Sequence, residues 1–153
     1  MSTFTKQAAQ ATRNLRAEIK RMATRAAMLK RPEVKAAFEA FPLTMRRSVG
    51  MSVASYSNTI YINATVRGLD SFKDAKLTRL LERFMGSEWT ARVNEYTNDT
   101  PNKDFHFERQ VDGFTIHVSI YAYVKSDSPL CRIVVTGVTE RVVREEVKQI
   151  VCA

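Results

Sequence analysis

Residues 104–124 read DFHFERQVDGFTIHVSIYAYV. Apolar and polar residues alternate on both sides of Asp112-Gly113, a dipeptide suited to a tight hairpin turn. The period of two predicts strands over 104–111 and 114–124. A two-residue turn sets their register, with Glu108 opposite His117 and His106 opposite Ser119. Phe105, Phe107, Val111, Phe114, Ile116, Val118 and Ile120 then share one face. His106, Glu108, Gln110, Thr115, His117, Ser119, Tyr121 and Tyr123 share the other. One side builds a core, and the opposite side is polar and aromatic.

The same alternation extends outward. Ile60, Ile62, Ala64 and Val66 alternate with Tyr61, Asn63, Thr65 and Arg67, with residues 51–57 as a hairpin partner turning near Ser57-Asn58. Trp89, Ala91 and Val93 alternate with Arg92, Asn94 and Tyr96. By this pattern all five tyrosines, Tyr56 included, fall on the non-core side of the strands. A further Val/Ile-rich strand spans 131–138 after a turn at Ser126–Pro129. Residues 140–152 fit either a helix stripe or a strand, and their β-branched content favours strand.

Helical signals interrupt and precede these strands. Ser71, with Asp74 three residues on, marks a helix start, and Leu77, Leu80, Leu81 and Phe84 give its buried stripe before Gly86. This places an inserted helix at 71–85. Residues 4–30 contain neither Gly nor Pro and are rich in strong helix formers. Leu15, Ile19, Met22, Ala26 and Leu29 make one mildly apolar stripe, expected to dock on the domain or on a second copy in a homodimer. Pro32 opens a second helix with Val34, Ala37, Phe38 and Phe41 on its apolar face, and Pro42 ends it. The fold class is therefore α+β: an N-terminal helical pair followed by an antiparallel β-sheet with one inserted helix. Residues 1–50 form the helical segment and 51–153 the sheet, together one compact unit.

Charge divides the chain at the same boundary. The net charge is +8. Residues 1–50 hold eleven Lys/Arg against Glu18, Glu33 and Glu39, and the remainder balances thirteen against thirteen. The whole excess thus lies on the helical third, which points to an anionic partner. The candidate contacts are Arg13, Arg16, Lys20, Arg21 and Arg25 on the first helix, with Tyr61, Arg67, Tyr121 and Tyr123 on the sheet. A sheet displaying Tyr, Arg and His can stack unpaired bases. The same tyrosines can anchor a protein interface, or serve as packing beneath the N-terminal helices.

Familiar catalytic signatures are missing. There is no phosphate-binding loop, dinucleotide fingerprint, nucleophile elbow or metalloprotease helix. His106, Glu108 and His117 can be read as divalent-metal ligands or an acid/base pair, or as a cross-strand ion pair on a wet face. Cys131 and Cys152 would face one another across a hairpin centred near residue 141, either as a redox bridge or as two small buried hydrophobes. No stretch is apolar and long enough to span a bilayer, and no secretory leader is evident. The expectation is a non-enzymatic cytoplasmic protein that needs no cofactor.

Two stretches carry a resemblance. They are Leu69-Asp70-Ser71-Phe72-Lys73-Asp74 with the helix after it, and Ser126-Asp127-Ser128-Pro129-Leu130-Cys131-Arg132 with Ile150-Val151-Cys152. These resemble small accessory proteins of tailed bacteriophages. The resemblance implies a viral protein acting in a bacterial cytoplasm and brings no catalytic residue or cofactor. Within that setting the reading is a nucleic-acid-binding accessory protein. The alternatives are a binder of an acidic host protein, such as a polymerase or a defence component, and a structural part of the virion.

Overall fold

The structure is a computed structural model that describes residues 2–96, 101–125, 131–139 and 145–152. Helix α1 runs Thr3–Leu29 and is capped by Ser2, whose hydroxyl accepts from the Thr5 N–H. Helix α2, Pro32–Glu39, begins on its proline as the fixed φ favours. Its last carbonyls are satisfied by Arg46, which donates to the Phe41 oxygen at 2.9 Å and the Glu39 oxygen at 2.6 Å. Strands β1 (Gly50–Val53) and β2 (Thr59–Leu69) follow, then α3 (Ala75–Glu82), β3 (Thr90–Tyr96), β4 (Asn102–Val111) and β5 (Phe114–Val124). Strands β6 (Cys131–Thr139) and β7 (Glu145–Cys152) form a separate two-stranded sheet.

The main sheet has the order β1-β2-β5-β4-β3. It is mixed, where the sequence suggested antiparallel pairing throughout. β2 and β5 are parallel neighbours, joined across α3, β3 and β4, and the other pairs are antiparallel. Alternation fixes which face of a strand is buried, and a tight turn fixes a local partner. Neither specifies a partner more than fifty residues away. The β4–β5 register is the expected one, with Glu108 opposite His117 and His106 opposite Ser119. Gly113 takes a φ of +84° while Asp112 keeps a negative φ, so only the second turn position demands glycine.

The core lies on one face of the sheet. Ile60 and Ile62 of β2 and Ile116, Val118 and Ile120 of β5 are fully buried, beneath Val34 and Phe41 of the α2 segment and Leu77 and Leu80 of α3. Phe84 sits at the centre of an aromatic knot, with Phe41, Trp89 and Phe107 each 5.4 Å away between ring centroids. β3 is the outer strand next to β4, and its Val93, expected on the core side, is 53% exposed.

Several local expectations shift. The cap of α3 is Asp74, which accepts from the N–H groups of Lys76 and Leu77, so the helix starts three residues later than a cap at Ser71 suggested. Ser71 instead closes a turn by accepting from the Lys73 N–H. Residues 145–152 are strand, and Cys131 lies opposite Cys152 in the β6–β7 register. The turn expected at Ser126–Pro129 lies outside the described residues.

Candidate nucleic-acid interface

Helix α1 does not lie on the sheet. Its one buried residue is Met28, near its C-terminal end. Leu15, Ile19 and Met22 are about 60% exposed, so the apolar stripe expected to dock on the domain does not do so. The reason is visible in the layers. α2 and α3 already cover the apolar face of the sheet, leaving α1 to project beyond it.

The projection leaves the basic residues accessible. At 3.6 residues per turn, Lys6, Arg13, Arg16 and Lys20 fall along one side of the helix, opposite the apolar stripe. The row from Lys6 to Lys20 extends roughly 21 Å at the helical rise. All four side chains are exposed, and none forms an ion pair with a described carboxylate. Arg13 is steadied by Gln10 at 2.9 Å. Lys6 belongs to this row although the charge count did not single it out; its spacing of seven from Arg13 was the available signal.

Arg21 and Arg25 lie on a different side of α1, toward the body. Arg25 donates to the Ser55 carbonyl in the β1–β2 turn. The two arginines, Thr24 and residues 55–58 border a polar recess of about 380 Å³. Tyr56 stands at its edge, 100% exposed. It therefore belongs to this turn and not to the tyrosine face of the strands, because the turn residues leave the sheet's alternation.

The polar face of the sheet gathers the other candidates. Tyr61 and His117 lie 5.4 Å apart between ring centroids, as do His117 and His106, and Tyr121 meets His106 edge-on at 6.4 Å. The Arg67 guanidinium stands 4.7 Å above the Tyr123 ring. Neither N-terminal helix covers these rings, since α2 packs on the opposite, apolar face and α1 projects. Tyr61, Tyr121 and Tyr123 are half-buried, held by neighbours within their own face.

His106, Glu108 and His117 come together in a chain of contacts. His106 Nδ1 lies 3.3 Å from His117 Nε2 and 3.1 Å from the Ser119 hydroxyl, and His117 Nδ1 lies 3.9 Å from Glu108 Oε2. Gln110 donates to the other Glu108 oxygen at 2.9 Å. Burial, then the neighbouring His117 and Arg92, pushes the His106 pKa below its ordinary value, with Asp104 opposing. The contacting nitrogens face one another and not a shared outer point. Among the described residues no cluster of three or more His, Cys, Asp or Glu side chains is placed to hold a metal ion. Ser119 is only 3% exposed, so its hydroxyl is closed to a substrate. Arg92, from β3, joins this group around a shallow recess of about 190 Å³.

No family model matches this chain, and no curated protein or solved structure matches it either. Among the described residues, no helix is long and apolar enough to cross a membrane.

Proposed function

We propose that this protein binds nucleic acid as a non-enzymatic accessory factor, using the cationic side of α1 to contact phosphates. The observation that carries the proposal is the row of Lys6, Arg13, Arg16 and Lys20 on an exposed helix, without carboxylate partners among the described residues. Such a row neutralises phosphates and releases their condensed counterions, which makes affinity strongly dependent on salt. The polar face, with Tyr61, Tyr121, Tyr123 and Arg67, supplies rings on which unpaired bases stack. A partner with both phosphates and exposed bases uses both surfaces, which favours single strands or strand junctions over uniform duplex. The resemblance to accessory proteins of tailed bacteriophages sets this activity in a bacterial cytoplasm.

Filter binding with labelled single-stranded and duplex DNA and with RNA tests the proposal. Binding at low salt that falls steeply as salt rises is expected. Absence of affinity for all three at low salt removes it.

A further inference from the structure

We propose that the groove between α3 and the outer end of β2 is a docking site for an acidic peptide segment of a partner protein, anchored by apolar side chains. The groove exists because β1 pairs with β2 only as far as Asn63. Beyond that residue, β2 borders a cleft of about 530 Å³ closed by the 42–45 loop and α3. Pro42, Met45 and Val66 contribute an aliphatic surface above the buried Leu77 and Leu80. Arg67, Lys76, Arg79 and Arg83 line the same cleft, and no carboxylate does. None of these four cations is ion-paired to a carboxylate among the described residues.

Two of the cations are fixed in place. Arg83 donates to the Ala40 carbonyl, and Arg67 rests on Tyr123. Lys76 and Arg79 are exposed at the rim. Charge complementarity then decides the occupant. Lys76, Arg79 and Arg83 place three like charges around the cleft, with the Arg67 guanidinium drawn onto Tyr123, and Asp or Glu side chains relieve their repulsion while steering the approach. The aliphatic surface takes one or two bulky apolar side chains, a volume typical of specific ligand clefts. The outer side of β2 suits an extended segment running beside it. A nucleotide fits less well, because no aromatic ring lines the cleft for a base to stack on. The site uses different residues from the α1 row and shares only Arg67 with the polar face of the sheet.

Selection from a random displayed peptide library against the full chain tests it. Enriched peptides should place Asp or Glu around Leu, Ile or Phe. Their affinity should fall about tenfold or more in the Lys76→Glu/Arg79→Glu double variant, a loss of at least about 1.4 kcal/mol. It should fall similarly in Thr44→Trp, which fills the cleft from the exposed 42–45 loop and leaves every charge in place. Circular dichroism confirms folding of each variant, and Arg79→Gln replaces the double variant if that one unfolds. The Arg13→Gln/Arg16→Gln/Lys20→Gln variant should keep peptide binding, which separates this site from the α1 surface. The proposal is overturned by no enrichment, by peptides without acidic residues, or by binding indifferent to Thr44→Trp. It is equally overturned if an oligothymidylate displaces the peptide and itself loses affinity in the Lys76→Glu/Arg79→Glu variant.

Discussion

His106 shows how one side chain can be polar by type and constrained by place. Partial burial and the adjacent His117 and Arg92 favour its neutral form, so its folded pKa lies below the ordinary 6.5. The unfolded chain then binds the extra proton more readily. Stability from this residue is present above about pH 6.5 and is lost as pH falls through the depressed folded value. Replacing His106 with Gln should flatten the acid limb of a plot of melting temperature against pH between about 4 and 7. An unchanged limb would remove His106 as its source. Phe84 is the opposite case, a core residue touching three aromatic rings. Phe84→Ala should cost about 3–5 kcal/mol, read from the shift in the urea midpoint at constant slope. Both positions were legible in part. The alternation about Asp112-Gly113 puts His106 on the polar face and Phe107 on the apolar one. Face sharing grouped His106, Glu108 and His117, but directly opposite register pairs His106 with Ser119 and Glu108 with His117, so the diagonal contact of the two imidazoles was not legible.

At the scale of elements, local chemistry located helices well and their ends less well. Ser71 and Asp74 both suit a helix start, and only backbone geometry chooses between them. The choice is Asp74, whose carboxylate accepts two N–H groups at the first turn of α3. Asp74→Ala should therefore destabilise the protein by about 1 kcal/mol, and Ser71→Ala by clearly less, in thermal or urea unfolding. A reversed order would move the cap back to Ser71. Strand pairing divides the same way. The Asp112-Gly113 turn specifies β4–β5, and spacing placed Cys131 opposite Cys152. The parallel β2–β5 pair needs α3, β3 and β4 to fold around it, and no short-range pattern in either strand records that. Helix α1 illustrates a further limit. Its stripe of Leu15, Ile19 and Met22 has the spacing of a buried face, yet the sheet surface it would need is already occupied by α2 and α3. Because α1 buries only Met28, removing residues before Ala27 should leave the melting temperature within about 2 °C of the full chain, roughly the shift a change of 0.5 kcal/mol produces. A large drop would show that α1 packs on the body.

For the whole molecule, the decisive feature is the separation of charge from core. The sheet and its two covering helices bury the apolar residues, while α1 carries cations outward. The sequence made the charge division plain, since eleven of the basic residues fall before residue 51. It did not reveal that the helix projects, which depends on how the layers compete for one apolar face. On the proposed binding, two surfaces face a strand, and they should contribute differently. Tyr121→Ala and Tyr123→Ala should weaken single-strand binding by about 1–3 kcal/mol each where a base stacks, with little effect on duplex. Equal losses on both would assign the tyrosines a structural part instead.

The most direct test compares the salt dependence of single-strand binding by the native chain and by the Arg13→Gln/Arg16→Gln/Lys20→Gln variant, using fluorescence anisotropy across a series of salt concentrations. Each lost phosphate contact lowers the slope of log K against log salt by about 0.7 for single strands, so three lost contacts predict a slope shallower by about 2 and weaker binding at low salt. The same slope and affinity in both proteins would contradict the claim that α1 is the surface meeting the nucleic acid.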